Sequence, residues 1–246
     1  MSLVEGVVLR NIRLREDNLI VTLLTKDAII PFMVYKVDRF KTPIYDAFVL
    51  GQYEINQKGS SLATVSFGEI VDNCLDTKNL IQYHSLVLIR EVIFRTQEGL
   101  EFGEYNELYR LFLTYTLLTK QNPRKSLTYL LGFLVAYRKL LGYGFKVDGC
   151  CICNSSKRIV GYNLTKCGFI CEKCFNNYED SYLSIERIYG IRDLFRINAE
   201  TLHTLKIPHE SEKNFLKDLL VLYSQDFNLQ FKAEEELLDS IYRKET

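Results

Sequence analysis

The stretch Cys150-Cys-Ile-Cys153, followed after seventeen residues by Cys171-Glu-Lys-Cys174, decides how the rest of the chain is read. A Cys-x-x-Cys pair closes a tight turn that aims two thiolates at one point, and two such pairs supply the four corners of the tetrahedron that zinc prefers. The gap between the pairs lies in the range of four-cysteine zinc sites. With sulfur at every corner none is left for water, so the expected zinc ion is structural and takes no part in bond chemistry. Cys151 adjoins Cys150, and Cys167 precedes Cys171 by four residues, so either could substitute as a ligand. The two-residue gap favours Cys150 with Cys153, because Cys151 with Cys153 leaves a single residue for the turn. Cys74 stands far away among apolar residues and reads as a small buried side chain.

Outward from these pairs, the seven cysteines are an odd number and the chain has no start resembling a signal peptide. Both features argue for a reducing cytoplasm over a disulfide scaffold. At 246 residues and 47% hydrophobic content, the chain can fill one large domain or two smaller ones. Arg90, Arg110, Arg138 and Lys139 interrupt the longest apolar stretches before any reaches the roughly eighteen residues of a membrane span. Thirty-one basic residues balance thirty-one acidic ones, without the basic excess of a strong nucleic-acid binder. Any phosphate-binding face must therefore come from local clustering. Residues 76–149 are mildly basic, with ten Lys/Arg against seven Asp/Glu, and residues 181–246 acidic, with nine against twelve.

Before the cysteines the chain changes texture once. Val4, Val7, Val8 and Ile12, then Leu19 to Thr25, Ile29 to Val37, Val49 to Ile55 and Leu62 to Phe67 read as strands between polar turns, one of them Gln57 to Ser61. Strands of this number and length suit a small barrel such as the OB-fold, with an SH3-like barrel or a half-sandwich as alternatives. Asp76 and Thr77 could cap a helix, and from Leu80 apolar residues recur at helical spacing through Tyr83, Leu86, Val87, Ile93 and Phe94. Further helices are expected over Tyr105 to Thr119 and Ser126 to Leu141, broken at Asn122 and Pro123. Beyond the cysteines, Ser184 to Phe195, Glu200 to Leu205, Glu210 to Ser224 and Ala233 to Arg243 read as helices. Helices apolar around most of their circumference must pack on one another. The expected fold is α+β: an OB barrel over residues 1–76 and a helical domain over 77–246, with a zinc module at 148–176 inserted in the bundle.

Catalytic signatures are missing. No phosphate-binding Gly-rich loop occurs, and His84, His203 and His209 accompany no nucleophile motif. Glu234, Glu235 and Glu236 read as a solvated helix face. The barrel segment is more informative. Arg10, Arg13 and Arg15 cluster on its first strand and Lys36, Arg39 and Lys41 after its third, interleaved with Tyr35, Phe40 and Tyr45. Cations for phosphates and aromatic rings for bases are what single-strand binding needs. Asp17, Asp27 and Asp38 dilute that field, and the alternative is a solvated rim with its aromatics in the core.

Barrel, helices and inserted four-cysteine module, in that order, resemble the RecO family of bacterial DNA repair and recombination mediators. Gly6-Val-Val-Leu-Arg10 followed by Glu16-Asp-Asn-Leu-Ile-Val-Thr-Leu-Leu-Thr25 is similar to the family's opening. Leu140-Leu-Gly-Tyr-Gly144 leads into the first cysteine pair and Gly168-Phe-Ile-Cys171 into the second, as in zinc-containing members, and Phe227-Asn-Leu-Gln-Phe-Lys232 resembles the carboxyl end. One departure is Lys26-Asp-Ala-Ile-Ile-Pro31 with Tyr35-Lys-Val-Asp-Arg39, where the family usually carries a more basic, Gly- and Arg-rich turn and loop. The resemblance implies a cytoplasmic, nucleoid-associated, non-enzymatic protein that binds single- and double-stranded DNA and anneals complementary strands. It also implies action with RecR, and in some bacteria RecF, to load RecA onto strands covered by single-strand-binding protein. The acidic, Phe-ending tail of that protein requires an apolar pocket beside a cation, for which Arg90, Arg110, Arg138 and Lys139 are the candidates.

Overall fold

A computed structural model of the chain describes all residues except 1, 16, 37–41, 57–61, 76–78, 208 and 243–246, and leaves the side chains of 15, 42, 209, 210 and 242 undescribed. Five strands come first: β1 (Ser2–Arg15), β2 (Asn18–Leu24), β3 (Ile29–Val34), β4 (Val49–Asn56) and β5 (Ala63–Asn73). They close a barrel in the order β1-β2-β3-β5-β4, with every pairing antiparallel except β3 with β5. This is the OB architecture. Period-two alternation sends Leu19, Val21 and Leu23 of β2 inward, where they meet Val8, Phe32 and Tyr53. A turn of 3-10 helix at Thr42–Tyr45 lies between β3 and β4, and its Ile44 carbonyl accepts the Tyr53 hydroxyl at 2.8 Å.

β1 is buried on both faces where the helices meet the barrel: Val7, Val8 and Leu9 have no exposed surface. Val8 joins the barrel interior, whereas Val7 and Leu9, with Leu24 and Phe48, belong to the core shared with the helices. A bulge between Val8 and Arg10 makes this possible. The extra residue resets the inward–outward phase, so Arg10 pairs with Thr22 on the outer face instead of following Val8 inward.

The helices are α1 (Leu80–Thr96), α2 (Glu104–Gln121), α3 (Ser126–Leu140), α4 (Ile185–Arg196), α5 (His209–Phe227) and α6 (Ala233–Tyr242). Asn79 caps α1, accepting the N–H of Gln82 at 3.1 Å; Asp76 and Thr77, the expected caps, lie outside the described residues, as do Gln57 to Ser61, Val37 and Arg243. α3 is the axis of the bundle: every residue from Ser126 to Arg138 is buried, as a helix apolar all round requires. Glu200 to Leu205 does not form the expected helix. It holds one 3-10 turn, Leu202–Thr204, and a Cβ on Gly132 of α3 would lie 2.3 Å from a Leu202 methyl. That glycine lets the turn sit close on α3, and Leu202 and Leu205 bury there without further helical turns.

Between α3 and α4 the chain leaves the bundle as a small sheet of β6 (Lys146–Cys150), β7 (Ile159–Asn163), β8 (Gly168–Cys171) and β9 (Ser181–Tyr182), in the order β6-β8-β7-β9. Phe169 and Leu183 then rejoin the core that holds α4, α5 and α6, so the module is an insertion in the bundle. No helix among the described residues is long and apolar enough to cross a membrane.

Candidate metal centre and nucleic-acid interface

β6 and β8 are neighbours in the sheet, and each ends on the first cysteine of a pair, Cys150 and Cys171. Each pair then turns tightly: Asn154 N–H donates to the Cys150 carbonyl at 2.9 Å, and Cys174 N–H to the Cys171 carbonyl at 3.0 Å. The four sulfurs of Cys150, Cys153, Cys171 and Cys174 all fall within 4.8 Å of one another, with Cys153 and Cys171 at 3.6 Å. A tetrahedron with zinc–sulfur bonds of about 2.3 Å has sulfurs about 3.8 Å apart, so the group has the size to hold a metal ion. Burial works against ionising Cys150, but backbone N–H groups of Cys153, Cys171 and Ile152 outweigh it and bring the thiol down to about 6. Cys174 goes the other way, to about 12, through its hydrogen bond to Cys153 and then desolvation. Cys150 and Cys174 are thus pushed in opposite directions by the same crowding, and a cation is what lets a group of thiols this close ionise together.

Neither spare cysteine joins the group. Cys151 packs its Cβ beside Gly168, while Cys167 donates its thiol to the Leu164 carbonyl at 3.2 Å and meets an Arg138 nitrogen at 3.6 Å. Cys74 is buried at the joint of barrel and helices, where its carbonyl accepts Gln82 at 3.3 Å.

The barrel cations divide into two places. Arg13 pairs with Leu19 near the end of the β1–β2 hairpin, and the Lys36 N–H reaches Asn18 of that hairpin at 3.3 Å, bringing Lys36 to the same end. Arg15 lies on the β1 backbone there, whereas Arg39, Lys41 and Phe40 lie outside the described residues. Arg10 is separate, on the outer face with exposed Ile12. Tyr35 is exposed and available to a base, but Tyr45 is not: its ring lies inside the barrel, 6.3 Å from Tyr53 and 6.5 Å from Phe32.

Two family models match this layout, Recombination protein O N terminal over residues 1–74 and Recombination protein O C terminal over residues 98–235. The chain belongs to the RecO family. It is 24% identical over 243 residues to the DNA repair protein RecO of Halalkalibacterium halodurans, covering 96% of this chain and 94% of that one. To the RecO of Bacillus subtilis it is 24% identical over 252 residues (96% and 93% covered), and to that of Clostridium novyi 25% over 195 residues (76% and 73%). As a RecO-family chain it is a DNA repair protein, with the barrel and the bundle each covered by its own part of the family.

The four cations expected to catch a partner tail are scattered over this RecO fold. Arg138 is turned inward, 1% exposed, and pairs with Asp226 at 2.6 Å while donating to the carbonyls of Tyr143 and Gly144. That burial removes it from any docking surface. Arg110 is held by Glu107 and Glu200, Lys139 donates to the Ile197 carbonyl at 3.3 Å, and Arg90 lies over the Phe48 ring. Sequence reasoning missed a groove of about 460 Å³ at the start of α3, lined by Ile81, Leu127, Ile207 and Ile241 together with Arg124 and Lys125. Its only sequence signal was the Pro123-Arg-Lys125 break before a long apolar helix.

Proposed function

We propose that this chain is a non-catalytic mediator of recombinational repair, which binds single- and double-stranded DNA, anneals complementary strands, and with RecR, joined by RecF in those bacteria that use it, loads RecA onto DNA covered by single-strand-binding protein. The observation that carries the reading is the match of both RecO family models, in order, to a chain whose barrel exposes Arg10, Arg13 and Lys36 to solvent. Arg15, Arg39 and Lys41 complete the assigned DNA-binding set. Phosphates held by these cations release counterions, so affinity falls as salt rises.

In this reading the division of labour follows residues 1–76 and 77–246, with the module at 148–176. Cys150, Cys153, Cys171 and Cys174 hold a structural zinc ion, whose one contribution is to fold the module. The acidic, Phe-ending tail of single-strand-binding protein seats in the α3 groove, with apolar walls for the ring and Arg124 and Lys125 for its carboxylates. Arg124→Glu combined with Lys125→Glu abolishes capture of a tail peptide while leaving oligonucleotide binding intact; retained capture removes the groove from the reading. The test of the whole is annealing of complementary oligonucleotides and retention of RecR by the purified chain at low salt. Absence of both contradicts the reading.

A further inference from the structure

Arg90 lies between the two matched segments, which end at residue 74 and begin at residue 98. Its guanidinium carbon sits 5.7 Å from the centroid of Phe48, so the planar group is held against a ring while its N–H edges stay free. Glu91, the adjacent carboxylate, is committed elsewhere: it pairs with Arg95 at 2.9 Å and accepts the backbone N–H groups of Lys232 and Ala233. Among the described residues, no acceptor takes the Arg90 donors. Five fixed donors in a half-buried position without an acceptor are a binding surface for an anion.

A second cation is brought to the same place by the β1 bulge. Phe48 donates its N–H to the Val8 carbonyl at 2.6 Å, which ties the ring beneath Arg90 to β1 two residues before Arg10. The bulge between them turns Arg10 to the outer face of the barrel, on the side where Val7 and Leu9 enter the core shared with the helices. Burial first, and the nearby charge of Arg10 in the same direction, lower the Arg90 pKa against the opposing influence of Tyr83 and of Glu91. Tyr83 stands two turns earlier on the same face of α1 and is 41% exposed, which offers a ring for a base.

We propose that Arg10 and Arg90 together form a phosphate site at the joint of barrel and α1, holding one phosphodiester of a single strand as it passes from the barrel onto the helices, with Tyr83 stacking the neighbouring base. The site rests on the DNA-binding reading and extends it beyond the hairpin end where Arg13 and Lys36 lie.

Binding of fluorescein-labelled oligo(dT) over a salt series, on variants whose thermal unfolding matches the parent, tests it. Arg90→Gln is expected to weaken binding several-fold and to lower the slope of log K against log salt by about 0.7, the share of one single-strand phosphate. Arg10→Gln should do the same, and the double variant should cost less than the sum because both residues hold one group. Arg90→Lys should keep the slope and recover part of the affinity. Parent-like affinity and slope in both Arg90→Gln and Arg10→Gln, with Arg13→Gln/Lys36→Gln weakened, overturn the site and leave the DNA-binding reading standing. No binding by the parent at low salt overturns both. Loss in Arg90→Gln of binding to an acidic peptide, with oligo(dT) binding unchanged, overturns the nucleic-acid assignment.

Discussion

At Arg138 a charge lies in the bundle core, and its cost is offset by Asp226 and two carbonyls. Arg138→Ala leaves the mostly buried Asp226 carboxylate without its partner and is expected to cost about 3–5 kcal/mol in urea denaturation, whereas Arg138→Met with Asp226→Leu recovers much of it. This pair was illegible in the sequence. An arginine near the end of an apolar helix looks like a surface cation, and only the fold brings Asp226 of α5 opposite it, 88 residues away. Asp218 presents a different balance. Burial raises its carboxyl above the ordinary value of 3.8, with the Tyr162 hydroxyl and Arg187 pulling down. A raised folded-state pKa means that the folded chain holds the proton more tightly than the unfolded one. The group's contribution is therefore complete below 3.8 and is lost as pH rises through the folded value. Asp218→Asn should gain stability relative to the parent as pH rises from below 3.8 to neutrality, because the amide carries no charge to desolvate. A pH-independent difference in denaturation midpoints would count against this.

Among the elements, the cysteine module was the most legible, because two short pairs specify both the turns and their meeting point whatever surrounds them. Cys171→Ser is expected to lose bound metal and to open residues 150–175 to protease, while the helical far-UV signal largely persists. Metal analysis and limited proteolysis check it, and parent-like metal content and protection would contradict a four-sulfur site. Gly161 tests the sheet itself: a Cβ there would lie 2.3 Å from the Ser181 carbonyl, so Gly161→Ala should detach β9 and increase cleavage near Tyr182. The barrel strands were visible from their alternation, but the facing of their cations was not. A bulge is a property of pairing, and one extra residue in β1 separates Arg10 from Arg13 and turns it to the outer face. The place of Tyr45 was left open between base stacking and the core for a related reason, since burial of a ring depends on whether the turn that carries it folds into the barrel, and here it does. The 3-10 turn at Leu202–Thr204 replaced an expected helix because two leucines docking beside Gly132 satisfy the same apolar pattern.

At the scale of the molecule, barrel and bundle share one core: Val7, Leu9, Leu24 and Phe48 pack with α1, α2 and α3, and Tyr109 and Lys120 of α2 reach Glu5 and Asp72 of the barrel. Such a joint fixes the barrel relative to the helices, and under the proposed DNA-binding reading it would give a bound strand a rigid path between them. The order of parts was legible in the sequence because each has its own period, two for strands, 3.6 for helices, and paired cysteines for the module. The joint was not legible, since it depends on which outward residues of β1 the helices cover. Zero net charge makes binding depend on this local arrangement. The most direct measurement is the affinity of the intact chain for single-stranded DNA across a salt series. Binding at low salt that falls linearly in log K against log salt, with a slope reduced by neutralising Arg10, Arg13 and Lys36, is the predicted result; no binding at the lowest salt, or an affinity indifferent to salt and to those residues, would contradict the account.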